Sequence, residues 1–189
     1  MADRTSNLDV LSRKRIVIIN GEIREEMVEN IVKELFRLEA ANPTEDISVY
    51  INSPGGSVIA GLAIHDVMKM VRCDISTVCY GQASSMAALL LMSGARGKRY
   101  ISPNARVLIH QPSGGAFGTA TEVETTALEI TRIKKRLLEM VSFYTGRPIE
   151  QVAIDMERDF YMDADAAVRY GVVDQIRYPG QGGTPSADS

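Results

Sequence analysis

Three short runs of β-branched and aliphatic residues recur in the first half of this chain, and a segment of helical character follows each one. The runs are RIVIIN at 15–20, DISVYI at 46–51 and ISTVCY at 75–80. After the first, the stretch 25–40 sets Met27, Val28, Ile31, Val32, Leu35 and Leu38 on one helical face, and Asn42-Pro43 ends it. After the second, NSPGGS at 52–57 turns into a helix over 58–71. After the third, GQASS at 81–85 reads as a tight turn into the apolar helix MAALLLM at 86–92. Strand–helix alternation of this kind commits the chain to parallel strand pairing with right-handed crossovers, an α/β fold.

The regularity changes past residue 97. Residues 98–101 and 106–110 read as short strands around Pro103, and the glycine-rich loop QPSGGAFG follows at 111–118. A helix over 119–144 comes next, with Val123, Ile130, Ile133, Leu137 and Val141 forming a narrow apolar stripe. At 1.5 Å per residue its length is roughly 39 Å, more than the width of a small core. It is therefore expected to project and pack on another subunit, the alternative being a helix laid along its own domain. Gly146 and Pro148 stop it, and a short helix, a strand at 160–162, a helix at 164–170 and a strand at 173–176 close the domain. Residues 15–176 thus form one domain, flanked by a polar, mobile N-terminal segment at 1–14 and a Gly/Pro/Ser-rich disordered tail at 177–189.

Composition removes several function classes. The net charge is −3, and the basic clusters Arg13-Lys14-Arg15 and Lys134-Lys135-Arg136 are short enough to be solvated faces, so nucleic acid is not an expected partner. No apolar run reaches membrane-spanning length and no signal peptide opens the chain, so no membrane partner is expected. The two cysteines, Cys73 and Cys79, lack metal-ligand spacing and sit among apolar residues, as reduced core thiols of a cytoplasmic protein do. No G-x-x-x-x-G-K-[ST] loop is present, so ATP hydrolysis is not expected of this chain, and no cofactor or metal site is foreseen.

The residues able to do chemistry are few. Ser84 and Ser85 precede the helix at 86–92, where a serine either caps the helix or is presented as a nucleophile on a turn. Histidine occurs twice: His65 lies mid-helix, a structural position, and His110 ends a strand that opens into a loop, where α/β folds place functional groups. A serine nucleophile needs an imidazole to take its proton, a carboxylate to orient that imidazole, and backbone N–H donors for the oxyanion. Glu122, Glu124, Asp155, Asp159, Asp163 and Asp174 are all candidates for the carboxylate. Gly55-Gly56 offers unhindered backbone near a strand end, or an ordinary turn. Residue types and spacing leave these choices open.

Three long stretches narrow them. YINSPGGSVIAGLAIHDVM at 50–68, GQASSMAALLLMSGARGKRYISPNARVLIHQPSGG at 81–115 and TGRPIEQVAIDMERDFYMDADAAVRYGVVDQI at 145–176 closely resemble the proteolytic subunit of the caseinolytic (Clp) protease. The likeness runs from about Arg15 to Ile176, with several motifs in the family's order. It implies a serine endopeptidase on the ClpP/crotonase-like fold, with Ser85 as nucleophile, His110 as base and Asp159 as the third member. It also implies oxyanion donors at the backbone N–H groups of Gly56 and Met86. The helix at 119–144 corresponds to the family's handle, which interlocks two stacked heptameric rings. The implied partners are copies of this chain, an AAA+ unfoldase that uses the ATP, and unfolded protein substrates. Two rival readings are a structural paralogue that needs a second proteolytic subunit in a mixed ring, and an acyl-CoA enzyme of the same superfamily. The chain departs from the family pattern at Ala87, commonly Gly after Ser-Met, and in LDVLS at 8–12, where the family has an aromatic-rich approach.

Overall fold

The computed structural model describes residues 10–112, 115 and 117–178. The three runs become strands β1 (Ile16–Asn20), β2 (Ile47–Ser53) and β3 (Ile75–Ser84), adjacent and parallel, with Ile16 opposite Ser48 and Ile47 opposite Ile75. Helices α1 (Glu25–Ala41) and α2 (Val58–Met70) make the crossovers, and α3 (Met86–Met92) follows β3. Strand β4 (Arg99–Ile101) pairs with β3 and with β7 (Gln175–Ile176), both in parallel. Strand β5 (Arg106–Ile109) pairs with the far end of β3, and β6 (Phe160–Met162) pairs with β5 in the antiparallel sense. The family-like α/β architecture therefore stands, with α5 (Ile149–Asp155) and α6 (Ala164–Tyr170) packed near the end of the chain.

One expected turn is absent. Residues 81–84 continue β3 instead of leaving the sheet, because β5 supplies partners for Gln82, Ala83 and Ser84. The strand bends at Gly81, whose φ is 77°, beside a register shift in β2 between Ile51 and Ser53. A Cβ at Gly81 would sit 2.5 Å from Asn52 Oδ1, the atom that accepts from the Gln82 N–H at 3.2 Å. The bend thus depends on a residue without a side chain, and it carries the serines to the edge of the core.

Helix α3 is the centre of the molecule. All of its residues from Met86 to Met92 are buried, with Ala87, Ala88, Leu90, Leu91 and Met92 fully so. Burying one such leucine is worth about 2 kcal/mol, which makes the segment a rigid seat for what precedes it.

Helix α4 (Ala120–Thr145) opens on a capping box between Thr119 and Glu122 and ends at Gly146, left-handed at φ 74°. Of its 26 residues, the buried ones are Leu137, Met140 and Val141, all in the C-terminal third. Toward the other end Val123 and Leu128 are exposed, so the outer turns leave the domain's own core.

Two arginines hold the frame. Arg15 is buried, so the first basic cluster is not wholly a solvated face. Its guanidinium donates to the carbonyls of Leu38, Asn42, Glu45 and Asp46 where α1 ends. Arg99 is also buried, and donates to both carboxylate oxygens of Asp174 and to the carbonyls of Met92, Tyr144 and Gly171. It thereby ties α3, α4, α6 and the approach to β7 together. Residues 10–13 are helical, ahead of β1. The expectations for the rest of the N-terminal segment and for nearly all of the tail fall on 1–9 and 179–189, outside the described residues.

Candidate active site

Ser85 joins β3 to α3 with φ 55° and ψ −122°, a combination few non-glycine residues adopt. Such a residue costs about 1–3 kcal/mol and persists only where its surroundings hold it. Here they do. The Ser85 N–H donates to the Leu108 carbonyl at 2.9 Å, and its own carbonyl accepts from Ala88 and Leu89 at 3.0 and 3.3 Å. The hydroxyl does not cap α3, which sets aside the helix-cap reading. Neighbouring Ser84 is buried, and its hydroxyl faces Gln82 Oε1 at 3.4 Å.

The Gly55-Gly56 pair presses against this segment. A Cβ at Gly55 would lie 2.7 Å from the Ser84 carbonyl oxygen and 2.8 Å from Ser85 Cβ. A Cβ at Gly56, whose φ is 145°, would collide with the Ile23 carbonyl, to which the Ser57 N–H donates at 2.8 Å. The turn is thus clamped on one side by Ile23 and lies against Ser85 on the other. Neither the Gly56 N–H nor the Met86 N–H finds a protein acceptor among the described residues, so both donors remain available beside Ser85.

His110 and Asp159 meet through sheet geometry. Ile109 of β5 pairs with Phe160 of β6, and one residue further on each strand come His110 and Asp159. Cross-strand neighbours share a face of the sheet and are close enough for direct contact. His110 Nδ1 and Asp159 Oδ1 are 3.1 Å apart. The imidazole is 31% exposed and the carboxylate 57%. An Nδ1–H donated to Asp159 leaves Nε2 unprotonated, the form able to accept a proton.

Ser85 and His110 line one cavity, whose remaining wall is apolar and includes Val58, Leu89, Leu137 and Met156. No hydrogen bond joins the Ser85 hydroxyl to the imidazole in this conformation. Four of the other candidate carboxylates are engaged elsewhere. Glu122 accepts from Thr119, whose hydrogen bonds hold its carboxyl below the usual range. Asp155 accepts from the Tyr170 hydroxyl at 2.8 Å, and Asp163 caps α6 through the Ala166 N–H. Asp174 faces Arg99; burial alone would raise its carboxyl, but the hydrogen bonds from Arg99 outweigh that and hold it low. His65 is a buried structural residue, its ring between Asp66 Oδ1 at 2.9 Å and the Tyr144 hydroxyl at 2.6 Å.

Both cysteines are free and buried, and burial pushes the Cys79 thiol up to about 12. Among the described residues, no helix is long and apolar enough to cross a membrane, and no group of His, Cys, Asp and Glu could hold a metal ion.

Sequence reasoning passed over Gln111 and Lys134. The Gln111 N–H donates to the Met156 carbonyl at 2.7 Å, and its Nε2 donates to the Glu157 carbonyl at 3.1 Å. Lys134 Nζ, on α4, donates to Gln111 Oε1 at 2.8 Å. The second basic cluster is therefore not wholly a solvated face either. The available signal was the position of Gln111 directly after the strand-end histidine.

Compared with protein families, the chain matches the family model described as Clp protease over residues 2–179, nearly its whole length.

Proposed function

This chain belongs to the Clp protease family and is a serine peptidase of the Clp type, and on that premise we propose that Ser85, His110 and Asp159 act as its catalytic triad. The observation that carries this reading is the cross-strand His110–Asp159 pair, whose imidazole lines the same cavity as a strained and uncapped Ser85.

In the proposed reaction the Ser85 hydroxyl adds to a peptide carbonyl carbon while its proton passes to His110 Nε2. The carbonyl oxygen takes the negative charge and accepts from the N–H groups of Gly56 and Met86. Each such donor is worth about 10²–10³ in rate. Collapse of the adduct breaks the C–N bond, and the imidazolium returns the proton to the departing amine. Water then attacks the acyl-enzyme with His110 again as base, releasing a carboxylic acid and restoring Ser85. Asp159 keeps the imidazole in the required tautomer throughout. The apolar wall beside Ser85 suits an apolar side chain next to the scissile bond.

The proposal extends to the assembly. Two stacked heptameric rings would enclose the sites, with the outer turns of α4 packing between rings, and an AAA+ unfoldase would thread unfolded protein in at the expense of ATP. Two free, buried cysteines suit the cytoplasm proposed for it. The structural-paralogue reading draws support from the missing Ser85–His110 hydrogen bond. That contact commonly tightens only in the assembled or substrate-bound enzyme. Ala87, the departure from the family pattern, is fully buried in α3 and does not line the cavity, which favours the catalytic reading.

The test is cleavage of a short fluorogenic peptide by the purified chain, together with the intact mass of the assembly after treatment with a serine-reactive phosphonate. Ser85→Ala is expected to abolish both cleavage and labelling while leaving the assembly mass unchanged. Cleavage that survives Ser85→Ala overturns the assignment. A wild-type chain that cleaves only after mixing with a second proteolytic subunit establishes the paralogue reading instead.

A further inference from the structure

Asp159 is poorly held for a residue that must orient an imidazole. Its carboxylate is more than half exposed, and its one hydrogen bond among the described residues is to His110 itself. Among the described residues, no backbone N–H and no arginine fixes it. The position of Asp159 is therefore set by its main chain, residues 156–159 between the end of α5 and β6. On the β6 side, that main chain is anchored by the Ile109–Phe160 pair. On the α5 side, two of its carbonyls, those of Met156 and Glu157, accept from Gln111 at 2.7 and 3.1 Å.

Gln111 in turn is aimed by Lys134. A primary amide can rotate about its last bond and exchange its oxygen for its nitrogen at little cost. With Lys134 Nζ donating to Oε1 at 2.8 Å, the amide oxygen points to α4 and Nε2–H points to the Glu157 carbonyl. The same ammonium lies 3.7 Å from Glu157 Oε2, so it holds both ends of the link. Lys134 stands one turn before Leu137, where the exposed outer part of α4 meets its buried base.

Resting on the triad reading above, we propose that Lys134 is a positioning residue for catalysis: acting through Gln111, it locks the segment that carries Asp159 against His110. Lys134 touches no substrate. Its role is to select one orientation of one amide, and the chemistry downstream follows from that orientation.

A displacement of about 1 Å at a catalytic group can cost about 10² in rate. Lys134→Met keeps the length and the apolar stem but loses the donor. It is expected to lower kcat about tenfold to a hundredfold on a short peptide, with KM within about twofold and the assembly mass unchanged. Lys134→Arg, which restores a donor of similar reach, is expected to recover most of that loss. Gln111→Met removes the link from the other side. If Lys134 acts through Gln111, the double variant is no slower than the worse single variant; independent effects would multiply.

The idea is overturned by any of three results: kcat for Lys134→Met within twofold of wild type, a loss that only tracks lost assembly mass, or multiplicative loss in the double variant. Ser85→Ala, run alongside, separates the two proposals. If it retains cleavage, the triad reading has failed. If it is inactive while Lys134→Met is fully active, only the positioning role has.

Discussion

Replacing Gly55 by alanine tests how tightly the double-glycine turn is fitted to Ser85. Two costs are separable. The first is conformational: Gly55 has φ 94°, and an L-residue there pays about 1–2 kcal/mol. The second is steric. The new methyl would meet the Ser84 carbonyl oxygen at 2.7 Å and Ser85 Cβ at 2.8 Å, and neither is the loose end of a side chain. Ordinary contact begins at 3.4 Å, so one of the two segments must retreat by roughly 0.7 Å from the closer contact. Overpacking of this size costs about 1–3 kcal/mol. Gly97→Ala serves as the control, because Gly97 has a similar φ of 82° and nothing within 4 Å of the added methyl.

The expected outcome is a loss of about 1–2 kcal/mol for Gly97→Ala and about 2–5 kcal/mol for Gly55→Ala. The measurement is urea denaturation followed by circular dichroism, at one protein concentration because assembly adds to apparent stability. Activity should separate the two variants further. A shift of about half an ångström in the Ser84–Met86 segment moves both the proposed nucleophile, Ser85, and the proposed oxyanion donor at Met86, so kcat for Gly55→Ala should fall about tenfold to a hundredfold. Gly97→Ala should keep its kcat. Equal destabilisation of the two variants, with kcat for Gly55→Ala within twofold of wild type, would refute the claim that this turn sets the position of Ser85.

Arg99→Met should destabilise the fold by about 3–5 kcal/mol, because it leaves the Asp174 carboxylate with backbone donors alone and no paired cation, and leaves the carbonyls of Met92, Tyr144 and Gly171 without the guanidinium. The Asp174 carboxyl is held below its ordinary 3.8, so the stability it contributes is present above that value and is lost as pH falls through the lowered one. The gap in unfolding free energy between wild type and Arg99→Met should therefore narrow on acidification below about pH 4, and a gap that widens there would contradict the pairing. Leu128→Asp, on the exposed outer part of α4, should leave domain stability within about 0.5 kcal/mol and lower the mass of the assembly in analytical ultracentrifugation. An unchanged mass would remove α4 from the contact between rings.

The strands and crossovers were legible because their signals are local. β-branched runs and a 3.6-residue apolar period lie within single windows of sequence, and β1, β2, α1, α2 and α3 fall where those signals place them. The turn misread at 81–84 had the right residue for a turn, Gly81, but its outcome was decided by a partner strand about 25 residues away, β5, which no local signal announces. The same kind of limit governed the site. Residue types alone offered many carboxylates for one imidazole, and Asp159 is set against His110 by register: the Ile109–Phe160 pairing brings the two together across 49 residues of chain. A slip of one residue in that ladder would turn Asp159 to the opposite face of the sheet. The His110–Asp159 pair is thus a property of the β5–β6 register before it is a property of two side chains. That explains why an exposed carboxylate with one hydrogen bond among the described residues can still be placed: its neighbour Phe160 is held in the ladder, and Gln111 bonds the carbonyls of Met156 and Glu157 just before it.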